Sequence, residues 1–200
     1  MRKARLKVPE AWSTGYYHCI SRVVDRSFRF NTHDKTLFLR FMRKFEAFCK
    51  VKVTAYCILD NHFHLLVEVP RRPEVLPTEA EIIEHVRATL GDGYASELVQ
   101  RINILRGRYA DTPARKGSMD KPTNPITEAE VQQVLNKILN RMWDISQFMK
   151  SLKQEFTQTY NEVYERKGTI WEERFKSVVV DSELNTLRTV CAYIDMNPVR

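Results

Sequence analysis

A chain of 200 residues, 43% hydrophobic and 28% charged, can close one soluble core, with room for an insertion and no need of disulfides or metals. Its cysteines, Cys19, Cys49, Cys57 and Cys191, form no CxxC pair, which argues against a structural zinc site or a dithiol redox motif. No apolar run reaches the ~18 residues of a membrane span, and "MRKARLKVPEAW" has no signal-peptide core, so a cytoplasmic chain is expected. The net charge of +7 is uneven: residues 71–146 hold 11 basic and 11 acidic side chains, so the whole excess lies in 1–70 and 147–200. Those two segments form the expected anion-binding body, and a polyanion such as nucleic acid is a natural partner.

The elements follow in chain order. "GYYHCISRVV" (15–24) is aromatic and β-branched and predicts a strand. In 34–51, Leu37, Phe38, Phe41, Phe45 and Phe48 fall at helical spacing, with Asp34 as the expected N-cap. "KVTAYCIL" (52–59) and "HFHLLVEV" (62–69) predict two strands around the turn "DN", hence a hairpin. The block 71–146 reads as an insertion, with helices near 78–90, 95–109 and 127–141 and a mobile loop at 111–125. Phe148, Leu152, Phe156, Tyr160 and Val163 line one side of a helix over 145–168, stopped by Gly168. A last strand lies at 176–181 and a last helix at 182–200, capped by Ser182 or Asn185. Without the insertion the order is β-α-β-β-α-β-α. The first six elements are those of a ferredoxin-like α+β fold, an antiparallel sheet with helices on one face, and a C-terminal helix is added.

Histidine is unusual in a run as apolar as 62–69. Side chains alternate along a strand, so His62 and His64 share a face about 6–7 Å apart at Cα, close enough to reach one divalent cation. Tyr193 and Asn197 are four apart on the last helix and share its face. Tyr193 offers a phenol, and Asn197 an amide oxygen suited to Mg²⁺ or Mn²⁺. His18, His33 and His85 show no partner pattern and read as structural or surface residues. Lys150 and Lys153 read as a solvated helix face.

His-hydrophobe-His on a strand resembles the motif of the HUH endonucleases. "YHCISRVVDRSFRF" (17–30), "AYCILDNHFHLLVEVP" (55–70), "GTIWEERFKS" (168–177) and "AYIDMNPVR" (192–200) together resemble the single-tyrosine HUH transposases, which include insertion-sequence and REP-associated tyrosine transposases. The resemblance covers roughly 120 residues, counted on the strand and helix blocks outside the insertion. It implies His62 and His64 as metal ligands, Tyr193 as the nucleophile and Asn197 as a third ligand. It also implies that relatives continue past "NPVR". The implied activity is metal-dependent cleavage of single-stranded or hairpin DNA through a 5′-phosphotyrosine, followed by strand transfer. One tyrosine per chain makes a homodimer the expected unit for joining two ends.

Trp171, Arg174 and Lys176 in "IWEERFKS" are candidate DNA contacts, by stacking and by charge, and Trp171 and Phe175 suit a core equally well. The basic "RKARLK" near the N-terminus suits backbone phosphates. Two other readings are weighed. A histidine-triad hydrolase needs a third histidine where Leu66 stands, and a two-histidine phosphoesterase needs two HxT or HxS motifs that are absent. A relative that holds hairpin DNA without cutting it would share the fold and the charge.

Overall fold

The structure is a computed structural model, and it describes residues 7–9, 12–24, 30–107 and 128–197. The loop expected at 111–125 and most of "RKARLK" lie outside the described residues. The element order is β1 (Thr14–Arg22), α1 (Thr32–Cys49), β2 (Lys52–Ile58), β3 (His62–Pro70), α2 (Glu79–Leu90), α3 (Asp92–Leu105), α4 (Glu128–Leu139), α5 (Ile145–Val163), β4 (Lys176–Val180) and α6 (Leu184–Asp195). The chain divides into two compact units, 1–73 with 142–200, and 74–141.

The first unit holds the sheet, in the order β2-β3-β1-β4 with every pair antiparallel. This is the strand order of the ferredoxin-like α+β fold expected from the sequence. Odd-numbered side chains of β3 face α1 and α5. Phe63 is fully buried, its ring 4.7 Å from Phe38 of α1 and 5.6 Å from Trp171. Phe38 in turn meets Phe156 of α5 at 5.3 Å. Burying one such ring contributes about 2–3 kcal/mol, and edge-on ring pairs add to that.

α6 packs on β2 and β3 from the opposite face. Ile194, with Leu187, Val190 and Cys191, meets Ala55, Cys57, Leu66 and Val180. β2 can serve both layers because its register shifts between Val53 and Ala55. Val53 pairs with Val67, whereas Ala55 pairs with Leu66, so the bulge at Thr54 turns the later residues toward α6. The Thr54 hydroxyl donates to the Leu66 carbonyl at 3.2 Å and holds the bulge.

Three local expectations change. The N-cap of α1 is Asn31, and Asp34 is its partner in a capping box. Asp34 is also taken up by the Tyr164 hydroxyl at 3.1 and 3.2 Å. α5 ends at Val163 rather than at Gly168. Tyr164, tied to Asn31 and Asp34, becomes its C-cap, and the chain turns at Glu165, whose φ is 49°. α6 starts after Glu183, with no side-chain cap bond from Ser182 or Asn185.

The second unit is a group of three helices burying Ile82, Val86, Ala95, Leu98, Ile102, Val131, Val134, Leu135 and Leu139. Arg106, just after α3, forms a two-pronged ion pair with Glu79 of α2 at 2.8 Å and also pairs with Glu128 of α4.

Candidate active site

The α6 side of the sheet carries the candidate site. Along β3, His62, His64 and Leu66 occupy this face, and the β1 residues opposite them are Arg22, Ile20 and His18. The β2–β3 turn that presents the histidines is held on three sides. Leu59 N–H donates to the His62 carbonyl at 2.9 Å, Val23 N–H to the Asn61 carbonyl at 2.9 Å, and Phe30 N–H to the Asp60 carbonyl at 2.6 Å.

His62 and His64 come together as expected, with ring centroids 5.2 Å apart. His62 Nδ1 is 2.7 Å from Asn61 Oδ1, an oxygen that can only accept. His62 therefore carries its proton on Nδ1 and leaves Nε2 as a lone pair. His64 is only 4% exposed, and its Nδ1 is 3.0 Å from Nε2 of His18. The two rings lie side by side, centroids 5.2 Å apart and planes at 22°.

Tyr193 completes the group. Its ring stands edge-on to His18 and to His64, 5.9 Å from each, and the residue is 40% exposed, within reach of a substrate. Buried Ile194 beside it anchors α6 to the sheet. Asn197 lies one turn further on, and its Nδ2 donates to the Tyr193 carbonyl at 3.1 Å.

The histidines are held neutral. Burial pushes the His64 pKa from 6.5 down to about 4, and His18, His62 and Arg22 push it the same way. Burial lowers His18, and burial followed by the Arg22 charge lowers His62. Neutral imidazole is the form that binds metals. The donors present fit a divalent cation that keeps part of its water: one unprotonated Nε2 on His62, a second on His64 in one of its two tautomers, and an amide oxygen on Asn197. Among the described residues no three His, Cys, Asp or Glu side chains are grouped to hold a metal ion.

The expected DNA contacts divide. Arg174 and Lys176 are exposed. Lys176 opposes Ile20, which places it on the histidine face, and it pairs with Glu173 at 2.7 Å. Trp171 is 6% exposed and its indole N–H donates to Thr157 Oγ1 at 2.8 Å. Its ring sits among Phe30, Phe63 and Phe156, so the structure places it in the core rather than on a stacking surface. Lys153 is likewise no solvated residue: its ammonium donates to Ser21 Oγ at 2.7 Å and to the Glu173 carbonyl at 3.0 Å. A cavity of about 560 Å³ lies beside it, lined by α5 and the 168–175 segment, with no histidine in its wall.

Two residues of the site were missed in the sequence: His18, read as structural or surface, and Arg22. Alternation along β1 puts both on one face. Only the β1–β3 register, which no local signal fixes, aligns that face with the histidine pair.

Residues 11–83 match the model of the family described as "Transposase IS200 like". The likeness is to the IS200-like transposases. This bears out the resemblance to the single-tyrosine family and, at that coarse level, supports a protein of DNA transposition. The matched stretch contains His18, Arg22, His62 and His64 and stops well before Tyr193. A solved structure of a REP-associated tyrosine transposase bound to a REP hairpin aligns over 100% of this chain and 73% of its own, at 14% identity and a TM-score of 0.52. At that identity the likeness is one of fold. A candidate transposase from Deinococcus radiodurans R1 aligns over 98% of this chain and 96% of its own, at 10% identity and a TM-score of 0.39. No curated protein matches. Among the described residues no helix is long and apolar enough to cross a membrane.

Proposed function

We propose that the chain is a metal-dependent transposase of single-stranded or hairpin DNA, with Tyr193 as its nucleophile. The observation that carries this reading is the placement of the Tyr193 ring against the histidine cluster, 5.9 Å from His64, although the tyrosine lies on α6 and the histidine on β3. A nucleophile brought by one element to ligands brought by another is the arrangement that phosphodiester cleavage needs.

In this reading His62, His64 and Asn197 would hold a Mg²⁺ or Mn²⁺ ion, through imidazole nitrogens and an amide oxygen. The cation supplies Lewis-acid polarisation of the scissile phosphate and a template for it. Arg22, beside His62 on the same face, and Lys176 meet the phosphates flanking the break. The Tyr193 phenol gives up its proton to water and its oxygen bonds to phosphorus. The bond from phosphorus to the 3′ oxygen breaks, that oxygen takes a proton from water, and the strand leaves with a 3′-OH. The phosphotyrosine keeps the bond energy, so a 3′-OH can reverse the step and join strands. Each chain holds one such link at a time, so joining two ends calls for a homodimer.

The test is a covalent-adduct assay with end-labelled single-stranded hairpins and Mn²⁺ on denaturing gels. The expected result is an adduct that requires the metal and is lost in Tyr193→Phe and in His62→Ala. Tight hairpin binding with no adduct from any hairpin would sink the nuclease and leave a DNA-binding module.

A further inference from the structure

The geometry points to His18 as a positioning residue for the metal site: its Nε2 accepts the Nδ1 proton of His64 and so turns the His64 Nε2 lone pair toward the cation. This inference rests on the metal-binding reading of His62 and His64 given above.

A neutral imidazole has one N–H and one lone pair. His64 Nδ1 and His18 Nε2 face each other at 3.0 Å, so a single proton lies between them. If His18 owned it, the proton of His64 would sit on Nε2 and close that nitrogen to a metal. If His64 owns it, the His18 proton moves to Nδ1, and His64 presents a bare Nε2. Only the second arrangement makes His64 a ligand. His62 already shows the same solution with a different partner, its Nδ1 proton being held by Asn61 Oδ1 at 2.7 Å. Each histidine of the pair thus has its Nδ1 engaged by a neighbour, one from the turn and one from β1. Outer partners of this kind fix ligand tautomer and ring angle.

Three further observations favour this role over simple packing. The His18 and His64 rings lie side by side with planes at 22°, the near-coplanar alignment that an in-plane N–H···N bond needs, which fixes the rotation of the His64 ring as well as its proton. His64 is buried, so water has little access to replace His18 as acceptor. The His18 ring also meets the Tyr193 ring edge-on at 5.9 Å, so the same residue backs both the ligand and the nucleophile. His18 is not itself a third ligand in this arrangement, because its Nε2 is spent on His64.

The experiment compares the wild-type chain, His18→Phe and His18→Gln by titration with Co²⁺, read by visible absorption in the absence of DNA. Phe keeps a flat ring against Tyr193 and removes the acceptor. Gln places an amide oxygen near the Nε2 position and restores it. The expected result is a Co²⁺ affinity roughly 10–100-fold weaker in His18→Phe, with His18→Gln close to wild type. Nitrogen-15 shifts of the metal-free wild-type chain should show the His64 proton on Nδ1, a readout that needs no variant to fold. The inference is overturned if His18→Phe binds Co²⁺ as tightly as wild type, if Gln fails to restore what Phe loses, or if the His64 proton sits on Nε2. Failure of the wild-type chain to bind Co²⁺ at all would instead remove the metal site itself, and with it the role assigned to His18.

Discussion

Acid should destabilise the metal-free fold through the histidine cluster. His64 titrates near the ordinary 6.5 in the unfolded chain and at about 4 in the folded one, chiefly because burial penalises its charged form. Between those values the unfolded chain binds a proton that the folded chain refuses, so stability rises with pH across this window and is lost as pH falls through it. A shift of about 2.5 units at about 1.36 kcal/mol per unit gives about 3.4 kcal/mol as the ceiling. His18 and His62 are lowered as well, and the three rings repel one another once charged, so their contributions overlap rather than add. The expected loss is about 2–3 kcal/mol on going from pH 6.5 to pH 4. Asp144 belongs to a different window. Burial raises it, but its Lys7 ion pair and the N–H groups of Ser146 and Gln147 bring it below 3.8, so its contribution persists until more acid conditions. The assay is urea unfolding at several pH values with a chelator present, on wild type and on His64→Gln. The variant should lose less than half as much stability across the window. Equal losses in the two chains would refute the reasoning, since the titrating group would then lie elsewhere.

Four further outcomes follow from the packing and the charge. Phe63→Ala, at a fully buried ring between the two histidines, should cost about 3–5 kcal/mol in chemical denaturation. Trp171→Phe removes an indole N–H bonded to Thr157 and should cost about 1–2 kcal/mol while leaving hairpin-DNA affinity unchanged; a large loss of affinity would return Trp171 to the DNA surface. Arg174→Ala and Lys176→Ala should leave stability within about 0.5 kcal/mol and each lower the salt dependence of DNA binding by about one ion. Leu66→Ala, beneath α6, should reduce adduct formation more than Co²⁺ affinity, because it loosens the seat of Tyr193 and leaves the histidine turn in place.

What the sequence makes legible is local. The period of two along β3 is enough to put His62 and His64 on one face and Phe63 on the other, and the order of elements is enough for the fold. Cross-strand facts are not available to it. His18 becomes part of the site only because β1 pairs with β3 in a register that puts Ile20 opposite His64 and His18 one step along the same face. Lys153 reads as solvated because its partners, Ser21 and Glu173, come from distant parts of the chain. The end of α5 falls short of Gly168 because a tertiary bond from Tyr164 to Asp34 outweighs the local stop signal. Asp34 has the look of a cap because both members of a capping box do, and only the backbone decides which one is outside the helix.

The period of two also explains how one strand can serve two demands. On the α1 and α5 side, Phe63, Leu65 and Val67 are fully buried and fix the path of β3 to within the tolerance of a packed core. Because the backbone is fixed from that side, the residues between them need contribute little to stability and are free to carry polar groups. His62 and His64 use that freedom, and the cost of burying their nitrogens is met by Asn61 and His18. Leu66, next on the same face, returns to an apolar role and seats α6. α6 itself has no side-chain cap bond at its start and a single fully buried residue, Ile194, so its position depends on this packing rather than on its own helix propensity. Tyr193 is therefore aimed by the same strand face that carries His62 and His64. The proposed reaction, which needs nucleophile and phosphate in register, would gain from having both referenced to one short run of β3, in which His62 and His64 would offer the ligands, Leu66 seats the helix that carries Tyr193, and Phe63 and Leu65 lock the strand from behind.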